Sequence, residues 1–315
     1  MEGRMSVMNR RPEKELFEEV ALLKNIDPSF IEKDWFVTQV IAVLADLNPD
    51  GFEFVFTGGT SLSKAHHLIQ RFSEDIDFRV IASTRLQNRK TLSTFKHGVI
   101  DKLRQSGFAI EDNLIQARDG NRFFSIDFYY PSYFSRSDAL RPHIQIEITV
   151  RDLQCPQNYL PVSSFVNIVT NKSAEVSRIA CINPVESAAD KLSALAWRIP
   201  DRVRGGKDDD PSLVRHIHDL ALLKELALSH KNFAALVSAS MQEDDRRSKN
   251  NPSFAGLPMS EKFQQLLAIL ETDKEAYARE YDLFVRGVSY AAEGEVPDFT
   301  AAVLAVQNLV KISVL

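Results

Sequence analysis

The spacing of apolar residues divides the chain into two parts. Before Asn183, segments with helical periodicity alternate with short apolar or alternating runs that are typical of strands. After Asn183 the strand pattern stops, and the sequence is typical of helices joined by polar loops. We therefore predict an α/β domain with a mixed sheet over residues 1–183 and an α-helical domain over residues 184–315.

The same spacing of apolar residues predicts the individual strands and helices. In the first part, strands are predicted at residues 52–56, 75–81, 122–130, 143–151 and 162–170. Helices are predicted there at residues 13–24, 29–46, 60–70 and 84–105. In the second part, helices are predicted at residues 185–198, 212–228, 233–241, 261–270, 274–285 and 299–312. Two polar loops, residues 200–211 and 242–258, interrupt the second part.

Composition narrows the class of protein. The chain has 315 residues, 44% of them hydrophobic and 26% charged, which is typical of a globular protein with room for two domains. Its net charge of −5 argues against a uniformly basic nucleic-acid binder but leaves room for a local basic face. Cys155 and Cys181 give no disulfide or zinc pattern, so we expect core thiols. Because we find neither an apolar leader nor a membrane-length apolar segment, the expected location is the cytoplasm.

A glycine pair lies between the first predicted strand and the helix after it. Gly58 and Gly59 would let the backbone approach a ligand closely, and the following helix N-terminus would attract a phosphate. Thr60 or Ser61 could add a hydroxyl group, and Lys64 a positive charge. An ordinary tight turn capped by Thr60 explains the glycines equally well, so this motif alone does not distinguish a phosphate-binding turn from a purely structural one.

Two aspartates lie on the next predicted strand. Asp75 and Asp77 project to the same side, while Ile76 and Phe78 face the core. Their Cα atoms would lie roughly 6 to 7 Å apart, so both carboxylates could bind one divalent cation or bridge two. Two surface charges at a strand end are the alternative. Carboxylates beside a core need a cation or a base, which favours the metal site.

A phosphate-binding turn, a short helix and an Asp-x-Asp strand, in this order, resemble the nucleotidyltransferases. This resemblance implies a third metal ligand from a later strand. Glu147 and Asp127 both lie on the polar faces of alternating strands. We prefer Glu147, because it lies in the middle of its strand with an isoleucine on each side. Asp127 remains the alternative.

A helix and four motifs follow one another along the chain: IEKDWFVTQVIAVL (residues 31–44), GGTSLSK (58–64), RFSEDIDF (71–78), PVESAADKLSALAWR (184–198) and RHIHDL (215–220). In this order they resemble the AbiEii/AbiGii toxin family of nucleotidyltransferases, the toxins of type IV toxin–antitoxin and abortive-infection systems. The resemblance extends from about residue 30 to residue 225. It implies a nucleotidyltransferase-like N-terminal domain and an α-helical C-terminal domain that completes the active site.

The resemblance implies a role for each motif residue. Lys191 would contact the nucleotide phosphates, and Asp219 would act on the nucleophile or orient Lys191. The expected catalytic residues are Asp75, Asp77, Lys191 and Asp219. The expected metal ligands are Asp75, Asp77 and Glu147. The expected triphosphate-binding residues are Gly58, Gly59, Thr60, Ser61, Lys64 and Ser73.

The residues of the last two motifs also have simpler explanations. Lys191 lies beside an apolar stripe, and its ammonium group could simply be solvated. Arg215 and Asp219, four residues apart on a helix, could form a surface ion pair. His216 stands where many family members have an acid, which leaves the role of that position open.

The implied reaction transfers a nucleoside monophosphate from a nucleoside triphosphate to an acceptor, with Mg²⁺ or Mn²⁺ as cofactor. The family suggests the 3′ end of tRNA as acceptor, a block of translation, and a cognate antitoxin as partner. Two basic stretches could contact RNA: Arg198, Arg202, Arg204 and Lys207, and Arg246, Arg247 and Lys249. The alternatives are a protein or small-molecule acceptor, and a catalytically silent nucleotide-binding module.

Overall fold

A computed structural model describes residues 6–135, 137, 139–247, 252–292 and 294–314. The chain divides into two units. The first consists of Met1–His67 and Phe72–Ile182, and the second of Leu68–Arg71 and Asn183–Leu315. The four-residue segment Leu68–Arg71 therefore belongs to the second unit, although the chain on either side of it belongs to the first.

The first unit contains a mixed sheet of seven strands among the described residues. The strands are β1 (Phe52–Thr57), β2 (Asp75–Ala82), β3 (Ile115–Arg118), β4 (Phe123–Tyr129), β5 (His143–Val150), β6 (Asn158–Val162) and β7 (Val176–Cys181). Their spatial order is β3-β4-β5-β2-β1-β7-β6. The pairs β1–β7 and β2–β5 are parallel, and the other neighbours are antiparallel. The helices of this unit are α1 (Lys14–Lys24), α2 (Pro28–Ala45), α3 (Gly58–Lys64), α4 (Arg89–Gln105) and α5 (Phe165–Val169).

One face of the central strands forms the main core of this unit. The inward residues of β2, β4 and β5 are almost fully buried, as their strict alternation predicted: Ile76, Phe78, Val80, Phe124, Ile126, Phe128, Ile144, Ile146 and Ile148. Aromatic rings of β1 pack on α4, where Phe52 stacks on Phe95 with their ring centroids 4.4 Å apart. The opposite face of the same strands carries Asp75, Asp77 and Glu147, so the sheet separates the core from the candidate site.

Helix α2 carries three consecutive charged residues that are buried: Glu32, Lys33 and Asp34. Asp27 caps its N-terminus by accepting a hydrogen bond from the Ser29 backbone at 2.9 Å. Glu32 accepts hydrogen bonds from Arg11, from the Ser132 hydroxyl and, at 3.0 Å, from the Tyr133 backbone N–H. Buried charges need such partners, so the bonds of Glu32 connect α2 to two distant segments.

Lys33 and Asp34 connect α2 to the segments around the glycine turn. The Lys33 ammonium binds the Glu74 carboxylate and donates to the Arg141 carbonyl at 2.9 Å. Asp34 binds the Lys64 ammonium with one oxygen and accepts from the Phe165 backbone N–H at 2.8 Å with the other.

Two predicted elements of the first unit are wrong. The helix predicted at residues 60–70 ends at Lys64, because His67 adopts a left-handed conformation with φ of +54°. The strand predicted at residues 162–170 ends at Val162 and is followed by α5. Ser164 caps α5 by accepting from the Asn167 N–H at 3.1 Å, and a short apolar run does not by itself distinguish strand from helix.

Other helices and strands differ from their predicted bounds, because helix caps and sheet edges are hard to locate in the sequence. The helix predicted at 84–105 begins as a 3₁₀ turn at Thr84–Leu86, and α4 starts only after Asn88 caps it with a 3.0 Å bond from Thr91 N–H. The short strands β3, β6 and β7 were not predicted. They lie at or next to the sheet edges, where apolar alternation is weak. Cys181 is buried as predicted, whereas Cys155 is only half-buried.

The second unit is helical, and together with the mixed sheet this confirms the predicted fold class. Its helices are α6 (Pro184–Arg198), α7 (Val214–Leu228), α8 (Phe233–Arg247), α9 (Pro252–Ala255), α10 (Met259–Thr272), α11 (Lys274–Val288) and α12 (Phe299–Ser313). Helix α8 extends six residues beyond its predicted end, and α9 lies inside the predicted loop at 242–258, which includes residues outside the described part. None of the described helices has the length and apolar character needed to cross a membrane.

We expect Asp34→Ala to lower the free energy of unfolding by about 3–5 kcal/mol, because Lys64 would keep a buried charge without its counter-charge. Urea unfolding measures this loss. Asp50→Ala, which removes an exposed aspartate, is the control and should change stability by less than about 0.5 kcal/mol. Equal losses in the two variants would contradict a structural role for the Asp34–Lys64 pair.

Candidate functional site

The glycine turn and the Asp-x-Asp strand meet at Gly58. Gly58 begins α3 directly after β1 and has a φ of +74°, a conformation that favours glycine. A Cβ atom added there would lie 1.8 Å from Oδ2 of Asp77. The Asp77 carboxylate therefore packs directly over the backbone of the turn, and only glycine allows this approach.

The predicted metal ligands share one face of the sheet. Asp77 pairs with Glu147 in the parallel register between β2 and β5, and Asp75 pairs with Gln145. Asp127 lies one strand farther from β2, and its carboxylate accepts a 3.0 Å hydrogen bond from the Gln145 side chain. Of the two alternatives for a third ligand, Glu147 is thus the direct cross-strand neighbour of Asp77.

Negative charge accumulates on this face. Burial raises the pKa of Glu147, and the charge of Asp75 raises it further, while Arg118 and Arg141 act in the opposite direction. Carboxylate oxygens are the ligands that Mg²⁺ prefers, and a cation would relieve the repulsion. The donor chemistry therefore fits a divalent cation. The described ranges contain no cluster of three or more His, Cys, Asp or Glu residues arranged to hold a metal, so the fit rests on the Asp75–Asp77 pair with Glu147 beside it.

The polar side chains of α3 are turned into the first unit. The Thr60 hydroxyl donates to the backbone carbonyls of Ser73, at 3.3 Å, and of Asp75. It therefore ties α3 to the start of β2 and does not cap its own helix. Ser61 is fully buried beside Cys181, and burial raises the pKa of that thiol to about 12. Gly59 is also buried, and Ser73 is half-buried just before Asp75.

Lys64 is engaged by Asp34 in a largely buried ion pair. Burial raises the pKa of Asp34, and the charge of Lys64 opposes this shift. The structure thus gives Lys64 a clear role in joining α3 to α2. That Lys64 also binds a triphosphate stays a prediction.

In the second unit, Asp219 of α7 is fully buried and binds two cations. Arg71 donates from Nε and a terminal nitrogen to the two Asp219 oxygens, each at 2.7 Å. The Lys191 ammonium lies 2.8 Å from Oδ2 of Asp219, and the His218 ring lies 3.1 Å from Oδ1. Both oxygens of Asp219 are therefore engaged.

The electrostatics of this cluster are those of a stable buried network. Burial alone would raise the pKa of Asp219, but the charges of Arg71 and Lys191 hold it well below its usual range. The alternative of a surface ion pair between Arg215 and Asp219 is wrong, because Arg215 binds Asp210 and Ser212 instead. The alternative of a solvated ammonium group on Lys191 is also wrong, since Lys191 is buried against Asp219.

His216 lies next to this cluster. Burial lowers the pKa of its imidazole well below the usual range, and the charges of Lys191, Arg215 and Arg198 lower it further. The ring is therefore neutral at pH 7 and, unlike an acid, adds no negative charge at this position.

All three arginines of the first predicted RNA-binding stretch are paired inside the second unit. Arg198 binds Asp210 at 2.9 Å, and Arg202 binds Asp209 and Glu280, each at 2.7 Å. Arg204 also binds Glu280, whereas Lys207 is exposed. In the second stretch, Arg246 lies 3.3 Å from Glu243, while Lys249 and the side chain of Arg247 lie outside the described residues. These pairings reduce the positive charge that either stretch offers to RNA.

The motifs of both units fall within one family match. A family model for the nucleotidyl transferase AbiEii toxin of type IV toxin–antitoxin systems matches residues 42–304. The chain belongs to the AbiEii toxin family. The resemblance inferred from the motifs is thereby confirmed, and all the predicted site residues lie within the matched range.

Comparison with solved structures finds a similarity between this AbiEii family member and MenT4, a nucleotidyltransferase toxin from Mycobacterium tuberculosis H37Rv. The sequence identity is 15% and the TM-score is 0.39, over 87% of this chain and 99% of that chain. No curated protein matches the chain.

Sequence reasoning gave no role to two arginines of this AbiEii chain. Arg71 opens the RFSEDIDF motif, but its partner Asp219 lies 148 residues away in sequence. Arg141 binds Asp75 with a terminal nitrogen at 2.7 Å, and no periodicity in the sequence marks that contact. The run Glu32-Lys33-Asp34 inside an apolar helix signals that buried charges there require partners elsewhere, but it points to neither arginine side chain.

We expect Gly58→Ala to destabilise the protein more than Gly205→Ala. Both glycines have positive φ, but a Cβ atom at Gly205 meets nothing within 4 Å, whereas at Gly58 it meets Asp77. The extra loss should be about 1–3 kcal/mol in urea unfolding. It should shrink in an Asp77→Ala background, and an undiminished loss there would show that Asp77 is not the group displaced.

We expect Asp219→Asn to cost about 3–5 kcal/mol of stability at pH 7, because Arg71 and Lys191 would lose their counter-charge. A lowered carboxyl pKa stabilises the fold above the unfolded value, about 3.9, and this contribution is lost as the pH falls below it. The difference from wild type should therefore shrink below about pH 4 in urea unfolding. Asp282→Asn, an exposed change, is the control, and a pH-independent difference for Asp219→Asn would contradict the assignment.

Proposed function

We propose that this AbiEii family member is a metal-dependent nucleotidyltransferase toxin that transfers a nucleoside monophosphate from a nucleoside triphosphate to the 3′ end of tRNA. The observation that carries the proposal is the packing of Asp77 over the Gly58 turn, with Asp75 and Glu147 on the same sheet face. A phosphate-binding turn and oxygen ligands for a cation are the two parts that nucleotidyl transfer requires.

In the proposed reaction an acceptor hydroxyl attacks the α-phosphorus and loses its proton to solvent, the bond between the α-phosphorus and the bridging oxygen of the β-phosphate breaks, and pyrophosphate leaves. Asp75 and Asp77, with Glu147 beside them, would hold Mg²⁺ or Mn²⁺. When bound, the ion would neutralise charge on the phosphate oxygens and lower the pKa of the attacking hydroxyl. The backbone at Gly58 and Gly59 would lie against the triphosphate, because glycine leaves room for this approach.

Lys191 and Asp219 have separate roles in the proposal. Lys191 neutralises negative charge on the nucleotide phosphates. Asp219 orients Lys191, the second of the two roles that the family resemblance allows. The full burial of Asp219 and its bonds to Arg71 and Lys191 support this choice, because a base for the nucleophile would need an oxygen within reach of the acceptor.

The acceptor and the partner are proposed from the family resemblance. A type IV toxin implies a cognate antitoxin and a nucleoside triphosphate substrate. The 3′ end of tRNA is the acceptor that the resemblance suggests, and modification there would block translation. The paired arginines at Arg198, Arg202 and Arg204 lend this acceptor little support, so a protein or small molecule remains the second candidate.

The test is incubation of the purified protein with total RNA, Mg²⁺ and each α-labelled nucleoside triphosphate in turn. We expect label in tRNA-sized RNA from one triphosphate, and none after chelation of the metal. Asp75→Ala, Asp77→Ala and Lys191→Ala should each lower the rate at least about a hundredfold. Asp101→Ala and Lys231→Ala, at exposed positions of the two units, are the matched controls and should transfer at the wild-type rate.

The other outcomes are informative in different ways. Label in protein or in a small molecule, but not in RNA, would replace the acceptor and keep the transfer. Absence of transfer to any acceptor, with triphosphate binding intact, would identify a catalytically silent nucleotide-binding module and overturn the proposal.

A further inference from the structure

Hydrogen bonds to its backbone fix Arg141 beside the Asp75–Asp77 pair. Its N–H donates to Oε2 of Glu74 at 2.8 Å, and its carbonyl accepts from the Lys33 ammonium at 2.9 Å. Lys33 and Glu74 also bind each other, and Lys33 is buried. The position of the Arg141 backbone is therefore fixed by an internal ion pair of the first unit.

The side chain of Arg141 lies on the candidate metal ligand. One terminal nitrogen donates to Oδ1 of Asp75 at 2.7 Å and to Oε1 of Gln145 at 3.3 Å. The side chains of Arg141 and Asp75 are 42% and 30% exposed, so this ion pair is open to solvent. An ion pair exposed to this degree is weak and can be exchanged for another ligand.

The same Asp75 oxygen cannot bind a guanidinium and a divalent cation at full strength at once. A guanidinium released from Asp75 still has five N–H donors in a planar fork, the geometry that matches phosphate oxygens. Because the backbone of Arg141 is fixed, the released side chain stays beside Asp75. It would therefore meet the phosphates of a nucleotide bound there.

We propose that Arg141 is a nucleotide-binding residue that binds Asp75 in the free protein and exchanges it for a phosphate of the incoming metal–nucleotide complex. This inference rests on the proposed function, because it requires that Asp75 binds metal. It adds a coupling between metal and nucleotide: each should bind better in the presence of the other, since both favour the displaced guanidinium.

The test measures Mn²⁺ binding by the electron paramagnetic resonance signal of free Mn²⁺. Binding of nucleotide is measured by calorimetry at saturating Mn²⁺, with triphosphates in which a methylene group replaces the α,β-bridging oxygen. Arg141→Ala should bind Mn²⁺ alone about three- to fivefold more tightly, because the competing guanidinium is gone. The same variant should bind the analogue about tenfold more weakly, because a charge-assisted phosphate contact is lost.

Two further variants distinguish a direct contact between Arg141 and the phosphate from a general effect of positive charge on nucleotide affinity. Arg141→Lys should restore part of the nucleotide affinity, because it keeps the charge without the planar fork. Arg118→Ala removes a cation that also acts on Glu147 but is not bound to Asp75, and it should leave nucleotide affinity at the wild-type value. A thermal melt of each variant verifies that the first unit is folded.

The outcomes distinguish the two proposals. If Asp75→Ala abolishes Mn²⁺ binding but Arg141→Ala changes neither affinity, the exchange is wrong and the metal site stands. If Arg141→Ala and Arg118→Ala change both affinities equally, the effect is long-range charge, and the exchange is again wrong. If the wild type binds no Mn²⁺ through Asp75, the metal site of the proposed function and the exchange both fail.

Discussion

The first unit depends on three consecutive charges inside a buried helix. Glu32, Lys33 and Asp34 cannot be hydrated within the core, so each must find an opposite charge or hydrogen-bond donors on another segment. Through these partners α2 fixes the N-terminal segment, the start of β2 and the end of α3. The glycine turn and the aspartate strand are thereby fixed by buried ion pairs and hydrogen bonds to α2, in addition to the contacts of the half-buried carboxylates Asp75 and Asp77.

In the second unit, a single buried acid likewise needs opposite charges around it. Asp219 is buried between Arg71 and Lys191, and the two cations keep it ionised. Arg71 comes from the short segment Leu68–Arg71, far away in sequence from the helices that it joins. In both units, buried charged residues thus form ion pairs that hold separate segments of the chain together. Of the residues proposed for chemistry, Asp77 packs over Gly58 and Asp75 is bound by Arg141 in the first unit, and Lys191 is bound by Asp219 in the second.

The sequence predicted the parts of this architecture that depend on local periodicity. The strict alternation of apolar and polar residues predicted β4 and β5, and with them the position of Glu147 on the polar face. Short elements escaped prediction because long-range bonds define them: α5 begins where Asp34 accepts from the Phe165 backbone. The motifs identified the family and the candidate residues, but not their partners. An ion pair such as Arg71–Asp219 leaves no periodic signal, since its two members are 148 residues apart.

Nucleotidyl transfer moves a nucleoside monophosphate, and not a terminal phosphate, to the acceptor. One measurement distinguishes the two: a nucleoside triphosphate labelled at the α-phosphate is compared with the same triphosphate labelled at the γ-phosphate, using wild-type protein and its acceptor. We expect the α-label to enter the acceptor, while the γ-label leaves in pyrophosphate. Entry of the γ-label into the acceptor would show phosphoryl transfer and would contradict the role proposed for the aspartates and the glycine turn.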